Sequence, residues 1–309
     1  MTETTTSTST DAFDDADQLG AYIQDERAAD TVQLSTVDDA VAVVETFRSS
    51  TATSPWTSLD RTQIADRLEA ILREPRSITQ GALNLCGPAA FFNIVASRHP
   101  VVVAQAATAL FDTGACDIGG LHIEPKSDLT SASYADMLAK MGANVAPQAE
   151  WMLLGALRNT TNVFWQPDWK GNPDQELAGM TRPEELASWL TSTGFFATIA
   201  DNGKWASNPG IPNAENLRLT PGTDNAILIN ANMLAAAGQT AFDNTFILSS
   251  FPNHWVVLLS EVVADTTKQV VDVSFWTWGK SLLALSIPQQ AFLDNYYGAL
   301  TTTLPAQGN

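Results

Sequence analysis

Cysteine is nearly absent: the 309-residue chain has two, Cys86 and Cys116. That count excludes a disulfide framework and allows one bridge at most. Histidine is almost as scarce. His99, His122 and His254 are too scattered for metal-ligand spacing, so neither a metal nor another cofactor is expected. No apolar run reaches the roughly 18 residues needed to span a bilayer. The opening MTETTTSTSTDAFDDADQLG lacks the basic and apolar regions of a Sec signal peptide. The expected location is the cytoplasm, or outside the cell by a route that reads no such signal. Basic residues are outnumbered, and the net charge is −18. An acidic surface repels phosphate backbones and disfavours nucleic acid as a partner. Ten of these excess negative charges lie in residues 1–60.

Apolar residues are plentiful, at 45%, and there are nine tryptophans. Such a chain can bury a large core. Residues 1–33, rich in Thr, Ser, Asp and Ala, read as a largely disordered acidic tail with a short helix near Ala21–Ile23. Residues 34–309 read as one domain. Helical periodicity covers Val37–Phe47 and Leu59–Leu72, the latter behind the capping pair Ser58 and Asp60 and ending before Pro75. Ala89–Ser97 is apolar nearly all round, which predicts a central, buried helix. Further helices are expected at Val101–Phe111, Ala132–Met141, Glu150–Arg158 and Pro183–Ser192, with a glycine-rich loop over 112–130. The pattern then changes. FFATIA, AILINAN, TFILSS, HWVVLLSEVV, QVVDVSFWTW and SLLALSI are β-branched and aromatic, as strands are. A last helix is expected at Pro288–Tyr297. Helices first and antiparallel sheet second give an α+β fold.

Cys86 opens the central helix and is followed by Gly87 and Pro88. The unpaired N–H groups of a helix N-terminus favour a thiolate. Gly87 permits close approach of backbone or substrate, and Pro88 suits a first turn. Gln80 lies six residues before Cys86. His254 opens an apolar strand in Asn253-His254-Trp255-Val256-Val257-Leu258. His99 is thirteen residues from Cys86 on the same helical run, roughly 20 Å along the axis, and His122 sits in the loop without a companion. On the strand after His254, alternation puts Asp272, Ser274 and Trp276 on one face, and Asp272 is the only carboxylate there. Cys116 is flanked by Asp117, whose charge raises a thiol pKa, and reads as structural. Trp165 and Trp169 fall in a loop and read equally as binding residues or as anchors.

Gln80, Cys86, Gly87 and Ala89, followed by Asn253-His254-Trp255, resemble the papain-like cysteine peptidases, including the peptidase domains of bacteriocin-processing transporters. The resemblance implies a Cys-bearing helix packed on a C-terminal antiparallel sheet, with about residues 100–225 as a helical insertion. It implies Cys86 as nucleophile, His254 as base and ion-pair partner, and Gln80 with the Cys86 N–H as oxyanion hole. An Asn or Asp is expected to orient His254. Trp278-Gly279 is similar to the Trp-Gly after the orienting Asn of papain, but the residue in that Asn's place is Trp276. Asp272 is therefore the candidate, with Asn253 and Asp265 as the nearest alternatives.

The implied activity is hydrolysis of an amide bond in a protein or a peptidoglycan peptide. The same groups serve glutamine deamidation or transglutamination, and an inactive fold used for binding is a further alternative. The absent signal peptide, polar tail and few lysines also suit a bacterial effector or toxin, for which an inhibitor or immunity protein is the expected partner beside the substrate.

Overall fold

A computed structural model describes residues 31–162, 169–171, 179–204, 207–239 and 251–306. The 1–33 tail, TFILSS and Trp165 fall wholly or mostly outside these residues. Among the described residues no helix is long and apolar enough to cross a membrane.

The first half is helical. α1 (Thr31–Ser49) buries Ala40, Val44 and Phe47 along one face. α2 (Arg61–Arg73) begins where the Asp60 side chain accepts the Gln63 N–H. Its buried residues Ile64, Ala65, Leu68, Ile71 and Leu72 follow the i, i+4 stripe. α3 (Cys86–Arg98) is buried from Cys86 through Ala96, as an all-apolar helix must be. α4 (Pro100–Thr113) has Pro100 in its first turn and stops at Gly114, whose φ of 85° is a left-handed cap.

Residues 112–130 were expected to be a loop but carry a hairpin, β1 (Cys116–Ile118) and β2 (Leu121–Ile123). Its three-residue strands alternate inward and outward, too briefly to stand out in the sequence. A Cβ on Gly119 at the turn would lie 1.9 Å from the Thr193 carbonyl oxygen, so only glycine fits. Then follow α5 (Ser127–Thr130), α6 (Tyr134–Met141), α7 (Gln148–Thr161) and α8 (Pro183–Thr193).

The second half is mainly strand: β3 (Thr198–Asp201), α9 (Ile211–Glu215), β4 (Thr223–Ile229), α10 (Asn232–Ala236), β5 (His254–Leu258), β6 (Val263–Asp265), β7 (Val270–Thr277), β8 (Lys280–Pro288), α11 (Gln289–Asn295) and β9 (Tyr296–Thr303). The seven strands β3 to β9 make one curled antiparallel sheet in the order β3-β9-β4-β5-β7-β6, with β8 also on β7. The fold is therefore mixed α+β, as expected.

Several boundaries differ, and the expected strand AILINAN already ends at Ile229, with Asn232 opening α10. HWVVLLSEVV is two strands in succession along one side of β7, interrupted where the Ser260 hydroxyl accepts the Ser274 N–H. The last helix stops at Asn295, and Tyr296 and Tyr297 open β9, an interior strand absent from the sequence reading. Its Tyr- and Thr-rich run satisfies both neighbours, β3 and β4. The segment 100–225 is more than a helical insertion, since it holds β1, β2 and the edge strand β3.

The sheet has an apolar layer on each side. Trp255, Val257, Trp276, Leu228 and Leu300 join the core of α1–α4, α7 and α8. Val256, Leu258, Val273, Phe275, Phe292 and Tyr296 form a second core. The first layer seats the N-terminus of α3 against the start of β5.

Candidate active site

Four pieces of chain meet at Cys86: the 75–81 loop, the first turn of α3, the start of β5 and the turn between β7 and β8. Gln80, Cys86, Ala89, His254, Trp255, Trp276 and Trp278 line one tight pocket that has no room for a water in this closed state. Gln80, Cys86 and His254, separated by up to 174 positions in the chain, are thus brought to one place. They are 4%, 6% and 4% exposed, so all three side chains are screened from bulk water.

Each piece is held independently. The Trp276 Nε1–H donates to the Arg76 carbonyl at 2.7 Å. Buried Glu150 accepts from Arg67 Nε at 2.8 Å and from the Thr79 N–H at 3.3 Å with the same oxygen. This fixes the residue before Gln80. The Gln80 Oε1 is buried and without a partner among the described residues, so no hydrogen bond pins that end of the amide. At Gly87 a Cβ would lie 2.3 Å from the Thr181 side chain, and the first turn of α3 accordingly seats directly on Thr181. The Trp255 Nε1–H donates to the Thr181 carbonyl at 2.9 Å, which ties β5 to the same point.

The β7–β8 connection is a two-residue hairpin, Thr277 pairing with Lys280. Trp278 and Gly279 both have positive φ, 46° and 72°, the pattern of a type I′ turn. A Cβ on Gly279 would meet the Ser77 carbonyl oxygen at 2.9 Å, so the tip of this hairpin rests on the loop that carries Gln80. Trp278 lays its indole over the His254 ring.

His254 Nε2 lies 2.6 Å from the Thr277 hydroxyl. If Nδ1 is to receive a proton from Cys86, Nε2–H must be the donor to Thr277 Oγ1. Asp272 is not beside His254. It pairs with Val263 on β6 and Ser286 on β8, and its carboxylate accepts the Ser286 hydroxyl. It is five residues before Thr277, about 17 Å along the strand at 3.4 Å per residue. The face carrying residues 272, 274 and 276 was the wrong one to search. Thr277, on the opposite parity, is the residue that alternation from Asp272 missed. Of the alternatives, Asp265 binds the backbone of Thr267 and Lys268 in a turn after β6. Asn253 accepts the Ala231 N–H with its side chain.

The thiol hydrogen of Cys86 is directed to the Asn253 carbonyl, 3.9 Å away, the residue immediately before the histidine. Burial pushes the thiol up to about 11, outweighing the backbone N–H groups of Trp255, Gly87 and Cys86 and the nearby Arg158 cation, which favour the thiolate. Burial pushes His254 down to about 3. Burial thus works against the thiolate–imidazolium pair expected from the sequence and favours the neutral thiol and the neutral imidazole. Arg158 is itself fully buried and paired with Glu185 at 3.2 Å.

The remaining candidates are structural. Cys116 is buried, and burial followed by the Asp117 charge raises it to about 12. His99 caps α3 and packs on Phe195, ring centroids 4.3 Å apart. His122 is exposed and pairs with Asp117 at 2.7 Å. Trp169 is 1% exposed and sits against Gly155, so it anchors its loop.

No family model, no curated protein and no solved structure matches the chain.

Proposed function

We propose that the chain is a papain-like cysteine hydrolase that cleaves an amide bond in a protein or peptide. One observation carries the reading: Gln80, Cys86 and His254, remote in sequence, line a single pocket at the head of a buried helix. The same three residue types in this order make up the resemblance drawn from the sequence.

The chemistry starts from neutral partners. As the substrate carbonyl enters, the Cys86 thiol turns from the Asn253 carbonyl and gives its proton to His254 Nδ1. The Sγ–C bond forms, and negative charge moves onto the carbonyl oxygen. The Gln80 amide and the Cys86 N–H are the donors for that oxyanion. Nδ1–H then protonates the leaving nitrogen, the C–N bond breaks, and a thioester remains. A water that loses its proton to His254 attacks the thioester, and the departing thiolate is reprotonated. Thr277 holds the ring by Nε2 throughout, in place of a carboxylate or carboxamide. A neutral hydroxyl stabilises an imidazolium less than a carboxylate does, which fits a site whose resting state is neutral.

Screening peptides, peptidoglycan fragments and glutamine-bearing proteins by mass spectrometry tests the reading and separates cleavage from deamidation and cross-linking. Cys86→Ala and His254→Ala are expected to abolish product. Gln80→Ala is expected to reduce turnover by roughly 10²–10³, the loss for one oxyanion donor. Wild-type turnover in Cys86→Ala would overturn the proposal in favour of a binding protein.

A further inference from the structure

An ion pair holds the loop that carries Gln80. Glu150, in the first turn of α7, is 1% exposed, and Arg67 reaches it from α2. Glu150 Oε1 accepts the Arg67 Nε–H at 2.8 Å and an Nη2–H as well. The pair grips the loop at two backbone groups. Arg67 Nη2 donates to the Ser77 carbonyl at 2.5 Å, and the Thr79 N–H donates to Glu150 Oε1 at 3.3 Å. The two helices that supply the pair are tied to each other. The Asp60 N–H, at the start of α2, donates to Gln148 Oε1 at 2.6 Å, and Gln148 Nε2 donates to Gln63 Oε1 at 3.0 Å.

Gln80 follows Thr79 directly. On its other side, the Ala82 N–H donates to the Asn144 carbonyl at 2.9 Å. Gly81 has a φ of 59° and passes so close to Asn144 that a Cβ would lie 2.3 Å from its carbonyl oxygen. The backbone of Gln80 is thus held from both sides. Its amide oxygen has no partner among the described residues. The amide therefore depends for its place on the backbone that carries it. Stability alone is a weak reason for so deep an ion pair, because well-packed apolar residues often serve a fold equally well. An apolar pair supplies neither the donor for Ser77 nor the acceptor for Thr79.

Resting on the hydrolase reading, we infer that Arg67 and Glu150 are positioning residues for the oxyanion hole: they clamp the loop from which Gln80 presents its amide to the substrate carbonyl. Neither lines the pocket at Cys86, so both act through Gln80. An oxyanion donor works only within hydrogen-bond reach of the developing charge, and a misplacement of about 1 Å can cost roughly a hundredfold in rate. The role is confined to steps that place charge on the carbonyl oxygen. Reactions of Cys86 at a tetrahedral carbon form no such charge and do not draw on the clamp.

The test compares two reactions of Cys86 in the full chain. p-Nitrophenyl acetate acylates the thiol through an oxyanion, whereas iodoacetamide alkylates it by losing iodide from a tetrahedral carbon. Intact mass and peptide mapping follow both. The variants are Arg67→Met with Glu150→Leu, which replaces the ion pair by apolar side chains of comparable length, Gln80→Ala, and all these changes together. Melting temperatures check the fold. The Arg67→Met, Glu150→Leu protein is expected to acylate about ten- to a hundredfold more slowly than wild type. Its alkylation is expected to stay within about twofold of wild type. Added to Gln80→Ala, the same pair of changes is expected to cause no further loss, because residues that act through one donor are not additive. Glu150→Gln keeps an acceptor for Thr79 and is expected to lose less, and it carries the same comparison if the apolar pair does not fold. Acylation at the wild-type rate, an equal fall in both reactions, or a full additional loss on top of Gln80→Ala overturns the inference and leaves the hydrolase reading standing. A wild-type Cys86 that iodoacetamide alkylates and the ester does not acylate overturns both.

Discussion

The imidazole of His254 lies flat on the indole of Trp278, with ring centroids 3.7 Å apart and planes 9° from parallel. Trp278 reaches this place from a left-handed backbone, φ 46°, a conformation that costs a non-glycine residue about 1–3 kcal/mol. Trp278→Asn suits the turn better and removes the ring. The melting temperature is expected to change little, because relief of strain offsets lost packing. His254 is expected to titrate well above 3, toward the ordinary value near 6.5, as water reaches it. NMR of the imidazole protons reads this, and an unmoved titration would show that the stack does not shield the ring.

The depressed His254 pKa makes stability depend on pH with a definite sign. Between about 3 and 6.5 the unfolded chain binds a proton that the folded chain refuses. The stabilisation is complete above pH 6.5 and is lost as pH falls toward 3, by about 1.4 kcal/mol per pH unit. His254→Gln lacks this contribution. Denaturant midpoints of the variant should therefore fall less steeply than those of the wild type between pH 6.5 and 4. His99 is also depressed by burial but is common to both proteins, so it cancels. Parallel curves would contradict the assignment.

Thr277 is expected to act on the reaction through the ring it holds. Thr277→Val removes the Nε2 partner at 2.6 Å and should lower turnover by roughly ten- to a hundredfold, with the acid limb of the pH–rate profile displaced. Thr277→Asn restores an acceptor and should recover part of the loss. Asp272→Asn, remote from the ring, should stay within about twofold of wild type. A silent Thr277→Val with a damaging Asp272→Asn would reverse this assignment.

Gly87 is required by space. A Cβ there would lie 2.3 Å from the Thr181 Cβ and Oγ1, so Gly87→Ala should destabilise the fold by about 1–3 kcal/mol. Thr181→Gly in the same chain should relieve much of that loss, giving a strongly non-additive pair in thermal unfolding. Additive effects would show that the helix start does not rest on Thr181.

The α3 helix was legible because eleven successive buried residues leave no polar face, and Gln80, Cys86 and His254 stood out by spacing and by position at element starts. The orienting group was not legible. A carboxylate was sought by chemical type, whereas the ring is held by a hydroxyl, and threonine in a strand carries no signal above β-propensity. The burial that works against an ion pair was hidden for a similar reason. The sequence displays the helix N-terminus that favours a thiolate, but the burial that outweighs it comes from Trp255, Trp276 and Trp278, 169 and more positions away. β9 was missed because Tyr296 and Tyr297 extended an apolar helical pattern, and its partners β3 and β4 are distant in the chain.

Acyl transfer through Cys86 is the central claim, and an activated ester tests it without knowledge of the natural substrate. Wild type, Cys86→Ala, Cys116→Ala and His254→Ala are mixed with p-nitrophenyl acetate, and released nitrophenol and intact mass are followed together. The account predicts one acetyl group on Cys86 that forms in a burst and is then lost to water. It predicts the same in Cys116→Ala, none in Cys86→Ala, and slow formation without efficient release in His254→Ala. An acetyl group absent from Cys86, or one that forms and hydrolyses at the wild-type rate without His254, would contradict it.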